Sequence, residues 1–190
     1  MISHVTERCS SEIQTIARIN HPNIVNVVHS SENSSYIRKN GLGSFDAIYQ
    51  ALEFCENGSL FDFLVYTGAF EERIARAFFH QVIDIVEAIH NSGMCNRLIR
   101  PEYILFDGNF NLKIVNFAVA AELSGEDGSG MLREPIFSGE PLMAPEINSR
   151  VAYKGIPVDI FAVGITLFVM ISAKKPFDKT FDSNSFYKLL

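Results

Sequence analysis

The sequence predicts an α+β fold with a small β-containing lobe up to about residue 55 and a mainly helical lobe after it. Three observations predict it. Two strand-like runs, "IVNVVHS" and "DAIYQALEF", flank a polar, turn-rich stretch at 31–44. Apolar residues at helical spacing fill Glu71 to Asn91, and a second apolar helical pattern fills Val158 to Ser172.

Each element follows from its residues. Residues 10–20, "SSEIQTIARIN", begin with a serine cap signal and an early Glu12, and they place Ile13, Ile16, Ala17 and Ile19 on one face. Pro22 ends that helix, because it disfavours helical geometry at His21. "ENGSL" breaks the second strand. In the long helix Ile74, Phe78, Val82, Ile85, Val86 and Ile89 form the apolar face, and Gly93 suits a cap beyond its end. "YILFD" and "LKIVNF" read as short strands about a Gly108–Asn109 turn. Residues 123–135 read as loop, and "KKPFDKTFDSNSFYKLL" is polar and then amphipathic.

Composition excludes several classes. With 47% hydrophobic and 20% charged residues, 190 residues build a sizeable core rather than a disordered chain. The net charge of −6 argues against a nucleic-acid partner, which requires a basic stripe. Three cysteines, Cys9, Cys55 and Cys95, without framework or CxxC spacing point to a reducing compartment and no zinc site. The N-terminus lacks the apolar core of a signal peptide. The longest apolar run, Ile160–Ile171, is too short to span a bilayer and reads as a core helix. The expectation is therefore a cytoplasmic protein with no membrane partner.

Six segments in order carry a resemblance. "EIQTIARINHPNIV", "ALEFCENGSLFDFL", "NRLIRPEYILFD", "LKIVNFAVA", "MAPE" and "PVDIFAVGITLFVMISAKKPF" run from Glu12 to about Phe177. Together the chain resembles a protein kinase domain, serine/threonine-like. The resemblance implies a two-lobed kinase-like fold with an incomplete small β lobe and a C-terminally truncated large lobe. Residues 1–55 would carry the regulatory helix, two strands and hinge. Residues 56–190 would carry the catalytic-loop-like region, the activation segment and the central helix. The last large-lobe helices would be missing, so apolar surface is expected to be exposed.

Phosphoryl transfer is mostly positioning and charge neutralisation, and the family supplies five parts for it. No glycine-rich loop precedes Glu12; "GLGSFDAIY" at 41–49 imitates one but falls where a hairpin turn belongs. No lysine precedes Lys39, so Glu12, which matches the regulatory-helix glutamate, is expected to be solvated and favoured by the helix dipole. Leu98 stands at the catalytic base and cannot accept a proton. Arg100 replaces the catalytic-loop lysine with a fork of different reach. Tyr103 stands for the loop asparagine and Asn116 for the D-F-G aspartate. Magnesium prefers carboxylate oxygens, which neither offers.

The scaffold positions match better. The resemblance implies Leu52, Glu53, Cys55 and Leu105 around an adenine and Phe117 beneath Ile16 of the regulatory helix. It implies Asp159 as the anchor of the catalytic-loop backbone and Glu146 as an ion-pair partner. Arg97 is implied either as a holder of a phosphorylated segment, with Ser124, Ser129 and Ser138 as candidates, or as a loop staple. Glu140 takes a substrate-docking threonine's place. ATP is the implied ligand, and Mg2+ is disfavoured. The implied function is a pseudokinase acting through other proteins, an active kinase among them. The alternatives are a serine/threonine kinase with unorthodox residues and a decayed kinase fragment.

Overall fold

The structure is a computed structural model that describes residues 11–37, 44–125, 128–133, 142–148 and 151–177. The Ser10 cap, the turn at Gly41, Ser138, Glu140 and the amphipathic tail lie outside the described residues. Residues 11–18 form helix α1. Its buried face is Glu12, Thr15, Ile16 and, just beyond the helix, Ile19; Ile13 is half-buried and Ala17 exposed. The apolar face read from periodicity is thus rotated, because the acid at residue 12 finds polar partners inside.

Strands β1 (Val27–Ile37) and β2 (Ser44–Leu52) pair antiparallel, from Val27 opposite Leu52 to Ile37 opposite Ser44. β1 continues through the polar "SSENSSYI", which reads from sequence as a turn. The ladder to β2 carries this ribbon, where side chains such as Glu32 and Asn33 face solvent. Ile24 and Val25, assigned by periodicity to the strand, instead dock on the next hairpin: Ile24 bridges Ile114, and the Val25 N–H donates to the Ile114 carbonyl.

Helix α2 (Leu60–Thr67) opens on a capping box. The Ser59 hydroxyl accepts from the Asp62 N–H while the Asp62 carboxylate accepts from the Ser59 N–H, which satisfies two otherwise orphaned donors. Helix α3 (Glu72–Asn91) buries Ala75, Val82, Ile85, Val86 and Ile89. Phe78 is half-buried and Ile74 is 44% exposed, so the face begins at Ala75 rather than Ile74. Gly93 takes φ +80° beyond the helix end, the left-handed conformation that glycine adopts without a Cβ clash.

Two more hairpin-like pairs follow. β3 (Met94–Cys95) pairs with β6 (Ala121–Glu122), and β4 (Ile104–Phe106) pairs with β5 (Leu112–Ile114). The β4–β5 connection spans residues 107–111 instead of a two-residue Gly108–Asn109 turn. The Asp107 carboxylate accepts from the backbones of Asn109 and Asn111, and the left-handed residue is Phe110, at φ +61°. A short helix α4 (Pro145–Asn148) precedes α5 (Gly155–Ser172).

One hydrophobic cluster joins Ile16, Ile24 and Val25 to Val82, Ile85, Ile104 and Phe117, so it runs across both sides of residue 55. A second gathers Cys95, Leu98, Leu132, Met143, Ile147 and Val158. α5 serves both, with Val158, Asp159, Val163, Thr166 and Met170 buried. At 18 residues and mean hydropathy 2.0 it is, among the described residues, the one helix long and apolar enough to cross a membrane by length and composition. The twelve-residue run therefore understates its length. Its buried face packs on α3 and β3, while Ile156, Ile160, Phe168 and Ile171 are exposed.

Candidate functional site

The loop after β3 is held from below by α5. Asp159, fully buried, accepts from the Asn96 N–H at 2.9 Å, from the Arg97 N–H at 2.7 Å and from His90 Nε2 at 2.9 Å. α5 approaches this closely because Gly155 faces Cys95: a Cβ there would lie 2.3 Å from Cys95 Sγ. Cys95 donates to the Ala121 carbonyl, and burial pushes its thiol up to about 12.

Asn96 is also fully buried. Its side-chain oxygen accepts from the Leu98 N–H and its amide donates to the Asn116 carbonyl, which ties the loop to the segment after β5. Arg97 sits at φ +65°, a region costing a side chain roughly 1–2 kcal/mol. The cost is offset locally: Nε donates to the Val119 carbonyl at 2.6 Å and Nη1 to the Tyr153 hydroxyl at 2.8 Å. These bonds make Arg97 a staple between the loop, the segment after Asn116 and the residues before α5. A cavity of about 380 Å³ borders it, lined by Thr15, Arg18, Glu122, Leu132 and Arg133. Of the candidate serines described there, the Ser124 hydroxyl bonds Glu122 and the Ser129 hydroxyl accepts from the Met131 N–H.

The residues at the reacting positions behave differently. Leu98 is 7% exposed and belongs to the second hydrophobic cluster with Met143, Ala144 and Val158. Tyr103 packs half-buried against the same cluster. Arg100 clasps Glu102 with both fork nitrogens, Nη2 at 2.8 Å and Nε at 3.3 Å. Asn116 is half-buried at φ +68°, and its side-chain amide makes no hydrogen bond among the described residues. No group of three His, Cys, Asp or Glu side chains gathers to hold a metal among the described residues.

Glu12 requires a correction. Expected in solvent, it is 7% exposed and fully engaged. Oε1 accepts from the Phe117 N–H and Oε2 from Gln50 Nε2, both at 2.8 Å. Phe117 itself is fully buried in the cluster that holds Ile16. Gln50 escaped notice, although alternation in β2 gives the signal: it shares the inward face with Ile48 and Leu52.

The segment after β2 forms the other wall. Leu52 is half-buried on the first cluster, and Leu105 lies opposite Lys113 on the β4–β5 ladder. Lys113, 8% exposed, was also overlooked; its Nζ lies 2.8 Å from Glu53 Oε1, which accepts from the Asn26 N–H as well. Burial pushes the Glu53 carboxyl up, but Lys113 and Asn26 outweigh it and hold it below the usual range. Burial, with Glu53 beside it, raises the Cys55 thiol. The Cys55 backbone N–H makes no hydrogen bond among the described residues.

The segment after β2, the loop anchored by Asp159 of the central helix, and the acid of α1 bonded to the Phe117 backbone frame one cleft. A model described as the protein kinase domain matches residues 2–190. The chain belongs to the protein kinase domain family. Among curated relatives, CBL-interacting serine/threonine-protein kinase 26 of Arabidopsis thaliana is 34% identical over 181 residues, 95% of this chain and 38% of the relative. CBL-interacting protein kinase 9 of Oryza sativa subsp. japonica is 33% identical over 98% of the chain and 38% of the relative. Maternal embryonic leucine zipper kinase of Danio rerio is 30% identical over 90% of the chain and 23% of the relative. The kinase domain described here thus spans under two fifths of the length of these relatives. Its two-lobed α+β architecture is that of the family.

Proposed function

We propose that this kinase domain is catalytically impaired, a pseudokinase that works as a binding or regulatory module in phosphorylation signalling. One observation carries the reading: Leu98, at the position of the catalytic base, is packed in an apolar cluster. An aliphatic side chain neither takes the hydroxyl proton nor orients the nucleophile. Asn116 and Tyr103 support it, because a neutral amide and a protonated phenol supply no anion for a hard divalent cation. These residues do not fit Mg2+. Arg100, already clasped by Glu102, and Arg97, acting as a staple, fit structural roles better than phosphate binding.

Within this reading residues 1–55 and 56–190 make the two lobes, and Leu52, Glu53, Cys55 and Leu105 line the adenine end of the cleft. The open Cys55 N–H suits an adenine nitrogen, so ATP is the nucleotide to test. The partners are other proteins in the cytoplasm, an active kinase among them, with no nucleic acid or membrane involved. Two relatives carry an interaction with CBL in their names, which favours protein partners here too.

The second reading is a serine/threonine kinase with unorthodox residues. The cation kept at Arg100 and the naming of relatives as serine/threonine kinases favour it. Radiolabelled ATP, a serine/threonine peptide and Mg2+ or Mn2+ separate the two. The purified chain is expected to transfer no phosphate above a protein-free control. Transfer that Arg100→Ala and Asn116→Ala each abolish establishes the second reading and removes the first.

A further inference from the structure

Glu12 is a buried acid that, among the described residues, forms no ion pair. Both its oxygens are nevertheless occupied, one by the Phe117 N–H and the other by the Gln50 amide. Gln50 contributes this bond at a local cost. An amide has one donor end and one acceptor end, and Glu12 as a carboxylate accepts only. Turning Nε2 toward Glu12 leaves Gln50 Oε1 buried without a partner among the described residues. A buried orphan acceptor is unfavourable, so the bond to Glu12 decides how the amide lies.

We propose that Gln50 is the positioning residue for Glu12. Its neutral amide takes the place of a cation and holds α1 against the Asn116–Phe117 segment. The inward position of α1 then needs neither a charged partner nor a bound nucleotide. A second contact, Arg18 to Glu122 at 2.5 Å, fastens the other end of α1, but both side chains are about half exposed and such pairs contribute little. The Gln50–Glu12–Phe117 relay, half-buried at Gln50 and buried at Glu12 and Phe117, lies beside Ile16 and carries the restraint. The proposal concerns the posture of α1 and stands whether or not the cleft transfers phosphate.

Hydrogen exchange on the full chain tests it. Gln50→Leu keeps the volume and removes the donor, and it is expected to speed exchange at the amides of residues 15–19 by roughly tenfold, the loss of one hydrogen bond to a charged group. Gln50→Lys, which offers Glu12 an ammonium donor, is expected to keep those amides at wild-type protection. In a Glu12→Ala background Gln50→Leu is expected to add less than about twofold, because the coupled partner is gone. Unchanged exchange in Gln50→Leu overturns the proposal. Equal loosening by Leu and Lys overturns it too, as does loss of protection shared equally by α3, since each makes Gln50 a space-filler only.

Discussion

Within one turn of chain, Asn96 and Arg97 on one side and Leu98, Arg100 and Tyr103 on the other meet opposite fates. The first pair is deeply buried, and its backbone donors, the Asn96 amide and two Arg97 nitrogens all reach acceptors on Asp159, Asn116, Val119 and Tyr153. The second set is packed in an apolar cluster or paired within the loop. The difference teaches that holding this loop and doing chemistry with it are separable demands. Anchoring needs buried donors and acceptors in register, whereas chemistry needs an acid, a cation and a metal ligand facing a substrate. Fold and activity are therefore argued from different residues.

The comparison can be broken most sharply at its anchor. Asp159→Ala leaves the Asn96 and Arg97 N–H groups and His90 without their acceptor, and is expected to cost about 4 kcal/mol in urea unfolding. Asp159→Asn, which keeps one side-chain oxygen, should lose roughly half of that. If Asp159→Ala costs no more than a surface change, the loop is not held from α5. Leu98→Asp works on the other side. It places a carboxylate among Met143, Ala144 and Val158 and is expected to cost about 3 kcal/mol without conferring phosphate transfer in the radiolabel assay. Transfer gained by that single change would mean that the reacting side is dormant rather than abandoned.

Smaller effects sharpen the picture. Tyr153→Phe removes one acceptor from Arg97 Nη1 and should lower the urea midpoint by the equivalent of about 1.5 kcal/mol, with no change in the slope. The pH response tests the hinge. The Glu53 carboxyl is held below its usual 4.5, so the stability it contributes is present in full above that value and is lost as pH falls through the folded-state value. Glu53→Gln is therefore expected to flatten the fall in stability below pH 4.5, seen as a shallower drop in Tm on acidification. An identical acid profile for both proteins removes the Lys113–Glu53 bond from the account of hinge stability.

Much of this was legible in the sequence where periodicity is long or a motif is dense. α3 and α5 follow from repeated apolar spacing, and the six ordered segments identify the family. The misreadings have different causes, and for Glu12 the deciding partners lie far along the chain. Glu12 reads as a surface acid until Gln50 and Phe117, 38 and 105 residues away, bring it donors. The polar run in β1 reads as a turn because strand patterning presumes one buried face, and this ribbon keeps most of its β1 side chains at or near the surface. The 107–111 turn misleads because Asp107 bonds its own neighbours and moves the left-handed residue to Phe110.

The backbone at Asn116, at φ +68°, sets which side chains that position accepts. Asparagine and aspartate are among the few residues other than glycine that settle readily into that conformation. Exchanging one for the other there swaps an amide for a carboxylate and leaves the main chain where it was. Leu98 has no such freedom, since its neighbours have closed around an aliphatic surface. On the proposed pseudokinase reading, a carboxylate at residue 116 is one amino-acid exchange away, while a proton acceptor at residue 98 lies behind a repacking of the whole cluster. On that reading, a return to catalysis is gated at residue 98.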